Sequence, residues 1–156
     1  MLSTAHHKGF RLNLSCGRIC LIFDWLIEVF GVIFMLTGAF VTIASINFDR
    51  VIEFYTQFLE LTPQPYIPDV YAEFAIAGLK LGVFCPKPSN YDEFNQPSQS
   101  GMSLCLEVVS LEDSIDKLTQ LGYPPTGQIT TASHGREIYA YDPDGNRLIL
   151  HQSASK

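Results

Sequence analysis

Positive charge is scarce in this chain. Ten Lys and Arg stand against sixteen Asp and Glu in 156 residues, a net charge of -6. The cations are scattered, which removes the electrostatic footprint of a nucleic-acid binder or of a protein held on an anionic membrane. Glycine is not arranged for phosphate: Gly78, Gly82 and Gly101 have neither P-loop nor Rossmann spacing. Cysteine is sparse too. Cys16-x3-Cys20 has no second pair after it, and Cys85 and Cys105 sit in apolar runs, where a free Cys is usually a small buried hydrophobe. That usage points to reduced thiols and a cytoplasmic location. Nucleophilic catalysis finds no support: Cys105 has no basic sequence neighbour, and Ser103 has no evident His and Asp partners. What is abundant is apolar side chain, 47% of residues against 17% charged. This excludes a disordered chain, and a chain this long buries about 70% of its unfolded surface without a disulfide or metal staple.

The first thirty-seven residues form an N-terminal extension, 1–37, with its own character. Lys8, Arg11 and Arg18 precede an apolar stretch, Ile19–Phe34, and Val29–Phe48 carries no charge. Basic residues before an apolar run are the pattern of a signal peptide or membrane anchor. Asp24 and Glu28 interrupt it, and a charge at membrane depth costs roughly 2.5–3.5 kcal/mol. The end of the uncharged run is also needed as a strand, Phe40–Ile46. The expectation is an apolar helix over about 19–34 that does not span a membrane and packs on the domain or a partner. Met35 as the true start, with 1–34 an upstream extension, is the other reading.

The remainder is an internal repeat. Shifted by 63, Phe40–Phe58 lies over Ser103–Leu121, with Ile52, Thr56 and Gln57 matching Ile115, Thr119 and Gln120. Each copy opens with an alternating strand, in which Val41 and Ile43, or Leu104, Leu106 and Val108, share a face. Asn47 and Ser110 are the predicted helix N-caps. Phe48, Val51, Ile52, Tyr55, Phe58 and Leu59 form one apolar stripe; Leu111, Ile115, Leu118 and Leu121 form the other, closed by Gly122. Each copy then ends in a hairpin. The first turns at Ala77-Gly78, between Tyr71–Ile76 and Leu79–Cys85. The second turns at Asp142-Pro-Asp-Gly-Asn146, between Glu137–Tyr141 and Arg147–His151. Both halves read βαβββ, in modules 38–88 and 101–153 joined by the Pro-, Ser- and Asn-rich linker 86–100. The helix covers one face of each sheet; the other must curl around a cavity or meet its twin.

Two βαβββ halves, a strand–cap–helix start ending in Phe54-Tyr55 and the Asp142–Asn146 turn before a terminal apolar strand resemble the vicinal oxygen chelate superfamily. That superfamily contains glyoxalase I, bleomycin-resistance proteins and extradiol dioxygenases. The resemblance covers residues 38–153. It implies an α+β fold in which two tandem βαβββ modules form a cup-shaped mixed sheet with helices outside. In metal-dependent members it also implies a divalent ion, held by His or Gln at the head of each half's first strand and Glu on each half's last strand. Carried over, those places hold Phe40, Ser103, Gly82 and Ile149, so the ligand chemistry is absent. The resemblance therefore implies a cytoplasmic small-molecule binder without a metal cofactor. Its cup is lined by Phe40, Thr42, Phe84, Ser103, Cys105, Glu107, Tyr139 and Ile149, and homodimers are common.

Aromatic lining suits an aromatic ligand, and Glu73, Glu107 and Glu137 would favour a cationic one. The enzyme alternative, a lyase, isomerase or dioxygenase with a divalent metal, would have to rebuild a site from Glu107 and His151, with His134 and Glu137 nearby. Against it stands a simpler reading, with His151 at the surface and Glu107 paired to Arg147 or Lys80. A third reading makes the chain an interaction module docked through its N-terminal helix. His6-His7 reads as a tail feature.

Overall fold

The computed structural model describes residues 38–154. The N-terminal extension, its expected helix and the Cys16/Cys20 spacing lie outside the described residues. No helix among the described residues is long and apolar enough to cross a membrane.

Two modules repeat one topology. In the first, β1 (Val41–Ala44) runs into α1 (Phe48–Leu59), followed by β2 (Tyr66–Ile67), β3 (Tyr71–Ile76) and β4 (Leu79–Phe84). In the second, β5 (Leu104–Glu107) runs into α3 (Leu111–Gln120), followed by β6 (Thr130–Ala132), β7 (Gly135–Tyr141) and β8 (Arg147–Ser153). Each module makes a four-stranded sheet, in order β1-β4-β3-β2 and β5-β8-β7-β6. The first and last strands of each module run parallel, which the intervening helix allows; the remaining neighbours are antiparallel. β1 and β5 are therefore both edge strands. The linker holds a short helix, α2 (Tyr91–Phe94), between two 3-10 turns.

Strand alternation sorts the side chains as the sequence predicts. Ala72, Phe74, Leu81 and Val83 of the first sheet are fully buried, as are Ala140, Leu148 and Leu150 of the second. They share one core with Val51 and Tyr55 of α1 and Leu111 and Leu118 of α3. Burying each large apolar side chain stabilises the fold by about 1.5–3 kcal/mol.

Three local expectations are corrected. The first strand is shorter than Phe40–Ile46: Phe40 and Ile46 flank it at 54% and 52% exposure. Asn47 does not cap α1 with its side chain; its Nδ2 instead donates to Asp144 Oδ1 at 2.7 Å, in the turn of the other module. Ser110 does cap α3, accepting from Asp113 N at 3.1 Å. Cys105 is exposed rather than buried, because it stands on the sheet face opposite the helix; Cys85 is half-buried.

Candidate ligand-binding site

β1 and β5 do not pair with each other, and the gap beside them opens into a cavity of about 570 Å3. All four residues of β1 line one wall, and Ser103 and Leu104 at the head of β5 line another. Tyr55, Leu81 and Leu148 also contribute to it, and so does the linker from Glu93 to Met102. Phe94 is held there by an edge-on contact with Phe84, ring centroids 5.5 Å apart. Apolar side chains line most of it, with Thr42, Glu93, Gln96, Gln99, Asn146 and Arg147 among the polar ones; a mainly apolar wall with placed polar groups is usual for a small-molecule site.

Some of the cavity's polar groups have defined partners. Arg147 Nε donates to Ser103 Oγ at 2.6 Å, and an Arg147 Nη donates to the Ser100 carbonyl at 3.3 Å. The Tyr55 hydroxyl donates to Asp142 Oδ2 at 3.1 Å. Burial, reinforced by the Asp142 charge, pushes the Tyr55 phenol well above its ordinary range, so it stays neutral. Burial also raises the Asp142 carboxyl, while hydrogen bonds from Asn146, Tyr55 and Asp144 act against that rise.

Neither a family model nor a curated protein matches the sequence. Solved structures do match. A glyoxalase-related enzyme from Fulvimarina pelagi superposes with TM-score 0.61 at 18% identity, over 76% of this chain and 89% of that one. The fosfomycin resistance protein FosX from Listeria monocytogenes, complexed with Mn(II) and sulfate, gives 0.61 at 18%, over 77% and 93%. The bleomycin resistance determinant encoded on transposon Tn5 gives 0.54 at 20%, over 77% and 100%. The chain has the fold of the glyoxalase and bleomycin-resistance proteins. These neighbours belong to the vicinal oxygen chelate superfamily.

In this fold the residues at the four ligand positions do not fit a divalent ion. Phe40 and Ile149 offer no donor atom. Gly82 has no side chain to ligate with, and an added Cβ would lie 2.9 Å from Tyr71 Oη and 3.1 Å from Thr42 Cγ2. Ser103 Oγ faces a guanidinium. Among the described residues, no group of three or more His, Cys, Asp or Glu is placed to hold a metal.

The expected cup residues divide between two places. Thr42, Phe84 and Ser103 line the cavity. Cys105, Ile149 and Tyr139 lie side by side across β5, β8 and β7, with Glu107, His151 and Glu137 in the row beyond. Phe40 precedes β1 and does not line the cavity. Burial, with Glu107 and Glu137 close by, pushes the Cys105 thiol up, so it is a poor nucleophile.

Glu107 does not pair with Arg147 or Lys80, as the simpler reading had it. Its Oε2 lies 2.5 Å from His151 Nδ1, and its Oε1 accepts from Ser153 N at 2.8 Å. The bond to His151 is the main reason its carboxyl is lowered to about 2. Lys80 pairs instead with Glu73 at 2.9 Å. Nor is His151 a surface residue: its side chain is 15% exposed. The His134 ring stacks on it at 5.3 Å, and its Nε2 is buried without a partner among the described residues. Glu107 and His151 thus meet, but the free imidazole nitrogen faces protein, next to Gly135. Glu73, Glu107 and Glu137, the basis for a cationic ligand, all stand outside the cavity.

Strand alternation places Arg147 on the cup side, but sequence reasoning missed Tyr55, Phe94 and Met102 as cavity residues. Tyr91 and Phe94, three apart in an otherwise polar linker, were the available sign that this segment docks on something.

Proposed function

We propose that this protein is a metal-independent binder of small apolar or aromatic molecules, taken up in the cleft beside β1 and β5. The cavity of about 570 Å3 between unpaired strand edges carries this reading. It falls within the roughly 300–1,000 Å3 of ordinary ligand pockets. The similarity in fold to a bleomycin resistance determinant supports it. Phe40, Gly82, Ser103 and Ile149 support metal independence, because none offers an imidazole or carboxylate. The free thiols of Cys85 and Cys105 suit the cytoplasm.

A second copy of the chain completes the assembly in this reading. The sheet face opposite the core leaves Tyr139 47% and Tyr141 40% exposed, aromatic side chains that a second copy would cover.

A thermal-shift screen of small aromatic compounds tests the binding. Hits should raise Tm with ligand concentration in the native chain and lose their effect in Ala44→Trp, which fills the cavity. Hits unaffected by Ala44→Trp would place binding elsewhere and sink the cleft. Metal analysis of protein purified without chelator tests the other half: one tightly held divalent ion per chain would overturn metal independence.

A further inference from the structure

Besides its apolar side chains the cavity is lined by neutral polar groups such as Thr42, Gln96, Gln99 and Asn146, by Glu93, and by one cation, Arg147. The other described cations that form ion pairs do so outside it: Lys80 with Glu73, Lys117 with Glu60, and Arg136 with Glu112. Arg147 differs. Its two hydrogen bonds go to a serine hydroxyl and a main-chain carbonyl, both neutral, and no described carboxylate lies within 4.0 Å of it. In a chain of net charge -6, a half-buried arginine without an acidic partner is out of keeping with its surroundings. Ser103 and the Ser100 carbonyl fix its fork in place, and the remaining N–H donors are left over. A guanidinium held this way is pre-organised for an oxyanion, which it can bind through two parallel bonds. The one acidic side chain that lines the cavity is Glu93, exposed on α2 of the linker.

We propose that the cavity selects a flat apolar molecule carrying a carboxylate or similar oxyanion, with Arg147 as the residue that holds the anion. This rests on the cleft being a binding site. The apolar body lies among Val41, Leu81, Phe84, Phe94 and Leu104, and the charge faces Arg147. Glu93 acts against the anion from the rim and limits its affinity.

Three naphthalene probes of one shape separate the possibilities: 2-naphthoate, neutral 2-naphthamide and cationic 2-naphthylmethylammonium, each titrated by calorimetry. The native chain should bind naphthoate about tenfold or more tighter than the amide, and the ammonium weakest. Arg147→Gln should bring naphthoate down to the level of the amide while leaving the amide unchanged. Glu93→Gln should tighten naphthoate alone, and this readout survives if Arg147→Gln fails to fold. Equal binding of naphthoate and amide to the native chain, or a preference for the ammonium, would overturn the anion selection and leave the cleft standing. Failure of all three to bind would overturn the cleft reading and this inference together.

Discussion

The Tyr55 hydroxyl, on α1 of the first module, donates to the Asp142 carboxylate in the terminal turn of the second, 87 residues away. Both side chains are almost fully buried. The same carboxylate accepts from Asp144 N at 3.0 Å, from Asn146 N at 2.8 Å and from Asn146 Nδ2 at 2.8 Å. One carboxylate thus shapes its own turn and fastens it to the other half of the molecule.

Asp142→Ala leaves those donors without an acceptor, at about 1–3 kcal/mol for each group that water cannot reach. We expect a loss of about 2–4 kcal/mol in urea unfolding, and about 1 kcal/mol for Tyr55→Phe, which removes one donor only. The m-value should stay constant in both variants, because the shared core makes the modules unfold together.

Glu107 titrates at about 2 because its charged form is bonded to His151 and Ser153 N. Its folded pKa lies below its ordinary 4.5, so its stabilising share is present above about 4.5 and is lost as pH falls through about 2. Carboxyl-carbon NMR should give that midpoint in the native chain. In His151→Gln it should rise toward 4.5; an unmoved midpoint would show that the imidazole is not the cause.

Gly135 opens β7 at φ +153, where an added Cβ would lie 2.3 Å from the Gln152 carbonyl oxygen and 2.8 Å from His151 Nε2. Backbone on the neighbouring strand has little room to give. Gly135→Ala should therefore destabilise by about 2 kcal/mol or more, read as a lowered urea midpoint. Gly127→Ala is the control: its Cβ would meet nothing within 4 Å, and its effect should be small.

If a second copy covers the open sheet faces, Tyr139→Arg should shift the molecular mass from light scattering from dimer to monomer at unchanged helix and strand content. A native chain that is monomeric at every accessible concentration would remove the dimer from the reading.

The fold was legible because two periodicities are written twice, 63 residues apart, and because the turn chemistry at Ala77-Gly78 and Asp142–Asn146 sits where the hairpins turn. The site was less so. Strand alternation says which face a side chain takes, and it grouped Cys105, Glu107, Tyr139 and Ile149 correctly on one face. It does not say how two sheet edges lie relative to each other or where a linker settles. Those depend on contacts such as Phe54 against Tyr123, with ring centroids 5.1 Å apart, and Phe84 against Phe94, which no single element's period encodes. Phe54 falls outside the helix stripe read from spacing, yet it is buried because the second module's exit segment packs over it. Arg147 has the same history: its face is set by alternation, but its role comes from Ser103 and Ser100, which the repeat alone does not bring to it.

The Tyr71 side chain beside Gly82 also bears on what the first sheet accepts at that position. Any side chain placed at position 82 has to displace the end of the Tyr71 side chain, whose hydroxyl donates to Glu73. Position 82 and the Tyr71–Glu73 hydrogen bond are thus coupled, so that a substitution at either one is felt at the other.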